Sequence, residues 1–378
     1  MVVKFNYVYY QTPKQKKRYQ YTFDNPVLTL VAKHLSEVGS IVDEAEHYQK
    51  KGYYVALYLP YEAAAYYNDN FKVYTPQDEV YAACYVFDKP INEDKDMRIQ
   101  QFEMPEFYGV QSSESIQTQI RTIHEEITAG WTYQVNYTTR FKSKATAPIS
   151  QLYTFLTQKG NGNYTVMIDT KALKIASISP ELFFQVGPFD MNHKRTIVSK
   201  PMKGTIDRGQ TKEADIQNYN TLAQSLKDRA ENVMIVDLLR NDIARIARKG
   251  SVRVENPFFI ETYETVFQMT TMVLGEVEEQ VTYNELFEAL FPCGSITGAP
   301  KVNTMRIINR LETTPRHGYC GTIGLLHPNG EAIFNVPIRT VQEVNDELVY
   351  GVGAGITIDS DPQKEYEEFL MKTKILEG

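Results

Sequence analysis

The amino-acid sequence predicts an α+β fold, a single large domain in which helices flank mixed or antiparallel sheets. Residues 1–110 are rich in tyrosine and alternate irregularly between apolar and polar, as short strands joined by turns do. Residues 111–378 instead alternate strand-like runs with helical periodicity. His327–Gly330 separates two apolar runs with Asn-Gly turn chemistry, which predicts an antiparallel hairpin. We therefore expect a strand-rich N-terminal part over 1–110 and a second region over 111–378.

Two helical regions are predicted from their start and stop residues. Ser112 is followed by apolar residues at helical spacing, and Gly130 is a suitable end for that helix. After Gly209 no glycine occurs until Gly250 and no proline until Pro257, while apolar residues recur at helical spacing. This long interval predicts helical structure over most of its length.

Composition excludes several classes of protein. The chain has 378 residues, 42% apolar and 23% charged, with a formal net charge of -7, which is ordinary for a globular protein and argues against a general nucleic-acid binder. Cys84, Cys293 and Cys320 are odd in number, far apart and without metal-ligand spacing, as expected of reduced thiols. The N-terminus lacks the apolar segment of a signal peptide, and no apolar run reaches the roughly 18 residues that span a bilayer. We expect a cytoplasmic protein that binds neither nucleic acid nor membrane.

Lys203 is a candidate nucleophile. Pro201 and Gly204 bracket it, and the apolar residues Ile197 and Val198 precede it, so its amine is expected at the edge of a core. Desolvation there would lower its pKa and leave a neutral amine able to attack an electrophile. The ordinary alternative for a lysine beside a Gly-Thr turn is a surface charge.

The C-terminal segment predicts a helix with two carboxylates on one face. Asp361 is a good N-cap and Pro362 suits the first helical position. Glu365 and Glu368 follow three residues apart, and carboxylates so placed repel each other unless a cation lies between them. Hard oxygen ligands of this kind suit Mg²⁺. A solvated acidic helix face is the alternative.

Three further segments are candidate anion sites. Gly351–Ile356 resembles a dinucleotide fingerprint only superficially, because the apolar run Ile356–Ile358 predicts that the strand continues, so close approach of backbone N–H groups to an anion is favoured. Pro292–Lys301 precedes a helix but lacks the ending of a nucleotide P-loop. Arg339, expected to end a strand, could clamp a carboxylate, although an isolated arginine there is usually structural. These features together suggest a small substrate with more than one carboxylate.

Eight ordered motifs resemble the chorismate-utilising enzymes, the family of anthranilate, aminodeoxychorismate, isochorismate and salicylate synthases. The motifs are Tyr133–Asn136, Ser179–Phe183, Glu231–Asp242, Gly294–Lys301, Tyr319–Gly321, Ile338–Thr340, Gly353–Gly355 and the glutamates of the last helix. A weaker match lies at Gly52–Glu62. The resemblance implies an anthranilate-synthase-like domain in which residues 111–378 form the chorismate-binding catalytic region.

The resemblance also implies a role for individual residues. The implied ligands of Mg²⁺, which would hold the ring carboxylate of chorismate, are Glu231 and Glu368, with Glu365 nearby. The implied contacts of the ring are Gly204, Thr205 and Thr297. The implied contacts of the enolpyruvyl carboxylate are Tyr319, Arg339, Gly353, Ala354 and Gly355.

Lys203 separates branches of the family. The anthranilate-forming branch carries alanine at this position, whereas the aminodeoxychorismate-forming branch carries lysine. The resemblance implies that neutral Lys203 adds to C2 of chorismate while the C4 hydroxyl leaves, with Glu181 as proton donor, and that ammonia then adds at C4 and expels the lysine. Gln268 stands where many relatives have histidine, which argues against pyruvate elimination. The alternatives to a member of the aminodeoxychorismate-forming branch are an anthranilate synthase large subunit and a catalytically inactive relative.

The resemblance further implies partners. Because the chain ends ten residues after Glu368, we expect neither a fused amidotransferase domain nor a fused lyase. We therefore expect a separate glutamine amidotransferase subunit that supplies ammonia, and a separate aminodeoxychorismate lyase that acts downstream. Pyridoxal phosphate is expected on that lyase and not on this chain.

Overall fold

A computed structural model describes residues 1–91, 102–160, 162–189 and 194–377. Within these residues the chain forms nineteen strands and nine α-helices. The strands are β1 (Val2–Tyr10), β2 (Lys16–Asp24), β3 (Leu28–Ala32), β4 (Tyr54–Leu59), β5 (Ala82–Phe87), β6 (Tyr108–Gly109), β7 (Gln134–Lys144), β8 (Tyr164–Asp169), β9 (Lys174–Ser179), β10 (Leu182–Phe189), β11 (Lys194–Lys200), β12 (Met202–Asp207), β13 (Arg253–Thr262), β14 (Val266–Glu276), β15 (Gly298–Ala299), β16 (Thr322–Leu326), β17 (Ala332–Asn335), β18 (Thr340–Val344) and β19 (Glu347–Ile356). The helices are α1 (Val38–Lys50), α2 (Ala64–Tyr67), α3 (Ser113–Thr128), α4 (Ile149–Lys159), α5 (Lys212–Gln224), α6 (Leu226–Ala244), α7 (Tyr283–Leu290), α8 (Lys301–Leu311) and α9 (Pro362–Thr373).

The strands form two large sheets. The first has the order β15-β7-β19-β18-β9-β8-β1-β2, with β6 beside β7, and the second has the order β12-β14-β11-β10-β17-β16-β4-β5-β3, with β13 beside β14. Every pairing between the described strands is antiparallel, so the α+β prediction is confirmed in its antiparallel form.

The two sheets pack face to face, with helices on both outer faces. One apolar cluster contains Phe5 and Tyr7 of the first sheet together with Tyr85 and Ile323 of the second. A second cluster joins the other face of the second sheet to α1, α6 and α7, and a third joins the first sheet to α3, α4, α8 and α9. Burial of apolar surface in these three clusters makes the largest favourable contribution to the free energy of folding.

The N-terminal residues contribute to both sheets. Strand β1 pairs with β8 in the first sheet, whereas β4 pairs with β16 in the second. Helix α1 in this part of the chain was not predicted from the sequence. Its buried residues Val38, Ile41, Val42 and Ala45 follow helical spacing, but the polar residues between them resembled a turn between strands.

The hairpin and the two helical regions predicted from the sequence are confirmed. Strands β16 and β17 form the expected antiparallel hairpin. Helix α3 begins after Ser112, whose side chain accepts a hydrogen bond from the backbone N–H of Ser115, and Gly130 follows its end with a φ of 79°. The interval after Gly209 contains two helices, α5 and α6, separated at Ser225, which caps α6. All three cysteines are buried and unpaired, as expected.

The described helices also bear on the membrane expectation. In the parts of the chain that the structure covers, no helix combines the length and the apolar character needed to cross a bilayer.

Candidate active site

A cleft of about 950 Å³ opens where β7, β12 and β19 meet helices α6 and α9. Twelve of the thirteen residues that the sequence analysis assigned to a site line this cleft. They are Glu181, Lys203, Gly204, Thr205, Glu231, Tyr319, Arg339, Gly353, Ala354, Gly355, Glu365 and Glu368. The fold therefore brings together side chains that are separated by as many as 187 positions in the sequence.

Thr297 is the exception and requires a correction. Its side chain is fully buried behind the cleft wall, where its hydroxyl donates to the backbone oxygen of Cys293 at 3.0 Å. Its neighbours Ser295 and Ile296, in a single 3-10 turn, line the cleft instead. Which side chains of so tight a turn face the cleft depends on the backbone dihedral angles, which the motif alone does not reveal.

Lys203 is half-buried on β12, and its side chain extends into the cleft. A Cβ atom built on Gly355 would lie 3.0 Å from Nζ of Lys203, so the amine reaches the backbone of β19 here. Among the described residues, Nζ of Lys203 has no hydrogen-bond or ion-pair partner. An amine in this position is available to a molecule that enters the cleft.

Glu181 lies between β9 and β10, opposite Lys203, and is 5% exposed. The Ser295 hydroxyl donates to its Oε1 at 2.6 Å. Burial raises the pKa of Glu181 to about 7, and both the Ser295 hydrogen bond and the positive charge of Lys203 keep the pKa from rising further. A carboxyl group with this pKa can donate or accept a proton near neutral pH.

Ser295→Ala is expected to raise the pKa of Glu181 above its value of about 7, because a hydrogen bond to the charged form is lost. The pKa can be measured by ¹³C NMR of the Glu181 carboxyl, assigned by comparison with Glu181→Gln. Ser143→Ala is the matched control, because it also removes a buried serine hydroxyl but Ser143 does not line the cleft. A pKa that is unchanged in Ser295→Ala would contradict this assignment.

Arg339 does not end a strand, as the sequence analysis expected, but directly precedes β18. Its φ of 51° lies in the left-handed region, because the chain turns sharply between β17 and β18. The guanidinium is half-buried in the cleft wall, and burial lowers its pKa from the usual value. No carboxylate of the described residues pairs with it. A desolvated guanidinium without a partner favours an anionic ligand.

The glycine-rich segment lies within β19, which ends at Ile356, so the predicted extension of the strand through Ile358 is wrong. The strand stops there because the chain must turn into the N-cap of α9. Strand β7 pairs with β19 as far as Ile356, but β18 pairs with it only as far as Tyr350. This leaves the Gly353–Gly355 edge uncovered by β18, and of its backbone groups the oxygen of Gly353 accepts from Lys372 at 2.6 Å.

The three predicted metal ligands lie on two helices. Glu231 belongs to α6, whereas Glu365 and Glu368 lie on α9, whose predicted cap by Asp361 is confirmed. Burial raises the pKa of Glu365, a hydrogen bond from Ser360 opposes this rise, and the negative charge of Glu368 adds to it. Glu368 pairs with Lys372 at 2.6 Å.

No group of three His, Cys, Asp or Glu side chains within the described ranges converges closely enough to hold a metal ion. The chemistry of the donors nevertheless fits Mg²⁺, since all three are carboxylates that line one cleft. Lys227 lies 3.9 Å from Glu231. Glu231 and Glu368 therefore each have a lysine beside them, Lys227 and Lys372 respectively.

Two residues near the cleft were not assigned a role from the sequence. Ser295 was not predicted, because Thr297 was taken as the residue of the Gly294–Lys301 motif that faces the substrate. Gln134 is fully buried, and neither atom of its amide has a partner among the described residues. A Cβ built on Gly355 would lie 2.4 Å from its Nε2, which places this amide beside Lys203. Gln268, which stands where many relatives have histidine, lines the cleft, and its side chain donates to the hydroxyl of Thr205 at 3.4 Å.

The cleft thus combines an unpaired amine, a buried acid with a pKa of about 7, an unpaired guanidinium and three carboxylates, a set that suits a small molecule with several carboxylates. A family model described as chorismate binding enzyme matches residues 100–378. The chain therefore belongs to the chorismate binding enzymes.

Curated relatives are consistent with this family. The chain is 36% identical over 252 residues to aminodeoxychorismate synthase component 1 of Escherichia coli, covering 67% of this chain and 54% of that protein. It is 37% identical to aminodeoxychorismate synthase component 1 of Bacillus subtilis, covering 67% and 53%. It is 34% identical to anthranilate synthase component 1 1 of Haloarcula marismortui, covering 70% and 53%. The matches span about half the length of these relatives.

Solved structures show the same fold. Anthranilate synthase component I from Streptococcus pneumoniae superposes with a TM-score of 0.75 at 22% identity, covering 100% of this chain and 91% of that one. The menaquinone-specific isochorismate synthase MenF from Escherichia coli superposes with a TM-score of 0.71 at 13% identity, covering 99% and 87%. The anthranilate-synthase-like domain predicted from the sequence is confirmed.

Proposed function

We propose that this chain is the chorismate-aminating subunit of an aminodeoxychorismate synthase, which converts chorismate and ammonia to 4-amino-4-deoxychorismate for p-aminobenzoate and folate synthesis. The observation that carries the proposal is the unpaired amine of Lys203, which extends into the cleft beside Gly355 and Glu181. Relatives named aminodeoxychorismate synthase component 1 support the same activity.

Chorismate has two carboxylates, and the cleft has a separate place for each. The guanidinium of Arg339, the hydroxyl of Tyr319 and the open edge of Gly353–Gly355 would bind the enolpyruvyl carboxylate. Gly204 and Thr205, which follow Lys203, would contact the ring. The side chains of Glu231, Glu365 and Glu368 would hold Mg²⁺, which supplies positive charge for the ring carboxylate when bound.

In the proposed reaction, the amine of Lys203 attacks C2 of the ring while the hydroxyl at C4 leaves with a proton from Glu181. A pKa of about 7 allows Glu181 to carry that proton near neutral pH. Ammonia then attacks C4, and the amine of Lys203 leaves from C2. Two displacements through a covalent intermediate replace one direct displacement that is harder. Gln268 in the cleft cannot titrate, which agrees with retention of the pyruvyl group.

The proposal includes two partners. Ammonia would come from a separate glutamine amidotransferase subunit, in keeping with the name component 1 of the relatives. A separate aminodeoxychorismate lyase would convert the product to p-aminobenzoate. Neither partner is needed to test the chemistry of this chain, because ammonium salts can replace the amidotransferase.

The test is incubation of the purified protein with chorismate, Mg²⁺ and ammonium. We expect 4-amino-4-deoxychorismate without released pyruvate, and p-aminobenzoate once the lyase is added. Anthranilate is fluorescent and forms with release of pyruvate. Formation of anthranilate would overturn the proposal in favour of an anthranilate synthase large subunit, and absence of any product would favour a catalytically inactive relative.

Glu368→Gln is expected to weaken the apparent Mg²⁺ affinity of the reaction by about tenfold or more, because one anionic ligand is lost. The rate should be measured against Mg²⁺ concentration, and binding of Mn²⁺ to the protein should be followed separately by electron paramagnetic resonance. Glu367→Gln is the matched control, since Glu367 is adjacent, exposed and outside the cleft. Equal Mg²⁺ dependence in both variants would exclude Glu368 as a ligand.

A further inference from the structure

Three charged side chains are buried behind the cleft wall, and the proposed chemistry does not use them directly. Arg140, Glu312 and Arg316 are each no more than 3% exposed. Arg316 donates to both carboxylate oxygens of Glu312, at 3.0 Å from Nε and 2.6 Å from one terminal nitrogen, and Arg140 donates to the same carboxylate at 2.9 Å. Such a network is costly to desolvate, so its geometry is constrained by every hydrogen bond it makes.

Arg316 also holds two parts of the cleft wall. One terminal nitrogen donates to the backbone oxygen of Ile296 at 2.8 Å, and the other donates to the backbone oxygen of Asn136 at 2.8 Å. Ile296 belongs to the 3-10 turn and Asn136 to β7, and both residues line the cleft. A planar guanidinium that is fixed by Glu312 therefore sets the distance between this turn and this strand.

The turn that Arg316 holds carries the hydrogen-bond partner of the proposed proton donor. Ser295 precedes Ile296, and its hydroxyl donates to Glu181. We propose that Arg316 is a positioning residue, which acts through the backbone of Ile296 to keep the Ser295 hydroxyl aimed at the carboxyl of Glu181. The inference rests on the proposed function only for the role of Glu181, since the contacts themselves are independent of it.

Arg140 provides a matched comparison. It shares Glu312 and is equally buried, but its guanidinium donates to the backbone oxygens of Pro315 and Thr314 and not to the cleft wall around Ser295. A purely structural role of the network predicts the same effect from either arginine. A positioning role predicts an effect on Glu181 from Arg316 alone.

The groups that face Glu181 are the hydroxyl of Ser295, the amine of Lys203 and the buried thiol of Cys293. None of these belongs to the arginine network. Because Arg316→Lys keeps a positive charge beside Glu312, we expect any change in the titration of Glu181 in that variant to be transmitted through the turn.

The experiment compares Arg316→Lys with Arg140→Lys, because lysine retains a positive charge beside Glu312 but cannot reach both wall carbonyls. In Arg316→Lys we expect the pKa of Glu181, followed by ¹³C NMR, to rise above the wild-type value. We also expect kcat for aminodeoxychorismate formation to fall on the order of tenfold to a hundredfold. The KM for chorismate should change much less, and Arg140→Lys should leave the pKa of Glu181 unchanged. Identical shifts in the two variants, or no shift in Arg316→Lys, would overturn the inference.

A second variant and a double-mutant cycle keep the test decisive. Arg316→Gln leaves Glu312 paired one to one with Arg140, and if Arg316→Lys does not fold we expect a larger upward shift in Arg316→Gln than in Arg140→Gln, which loses the same charge. Adding Ser295→Ala to either variant should cause no further rise, since both changes act on one hydrogen bond. Additive shifts would refute transmission through Ser295. If the wild-type protein formed no aminodeoxychorismate, the proposed function would fail, whereas the NMR titration would still decide the positioning role.

Discussion

Lys203→Ala is expected to reduce the rate of aminodeoxychorismate formation on the order of 10³-fold or more, as removal of a catalytic nucleophile does. The structure gives the physical reason, because the amine extends into the cleft without a partner among the described residues and lies close to Gly355. The rate should be measured with saturating ammonium, so that ammonia supply does not limit it. Mass spectrometry of the wild-type protein quenched during turnover should show an adduct on the peptide that contains Lys203.

Lys203→Arg distinguishes the nucleophile from its charge. Arginine keeps a positive charge near Glu181 but remains protonated and cannot form the covalent intermediate. We expect this variant to be as inactive as Lys203→Ala. Substantial activity in Lys203→Arg would mean that the lysine acts only through its charge, and full activity in Lys203→Ala would remove the covalent mechanism altogether.

Glu181→Gln is expected to lower kcat by about 10²-fold to 10⁴-fold, the range for loss of a general acid. The variant should also lose the decrease in rate with rising pH that we expect of the wild-type protein. The protonated form is the proton donor and its pKa is about 7, so the wild-type rate should fall as pH rises through about 7. Rates between about pH 5.5 and 9 in buffers of constant ionic strength measure this decrease.

Glu62→Gln is the control for this prediction. Glu62 is also fully buried, and burial raises the pKa of its carboxyl, but it does not line the cleft. Its Oε1 accepts from the backbone N–H of Arg316, a hydrogen bond that glutamine can retain. The decrease in rate with rising pH should persist in this variant. A decrease near pH 7 that survives in Glu181→Gln would show that another group donates the proton.

The local structure of this protein is determined largely by short stretches of sequence. Ser112 and Gly130 bound α3, and Asp361 with Pro362 begins α9, because capping and glycine conformations are decided within a few residues. The hairpin of β16 and β17 follows from its turn in the same way. The order of the family motifs was also sufficient to identify twelve of the residues that line the cleft.

The tertiary structure alone decided how those elements meet. Strand β1 pairs with β8 across more than 150 residues, and the positions of Thr297, Arg339 and the end of β19 all differed from the sequence-based expectation. The Arg316 network behind the wall had no recognisable pattern in the sequence. The reason is that these features arise from pairing and packing between distant segments, and the direction of a side chain in a turn is set by what packs against it.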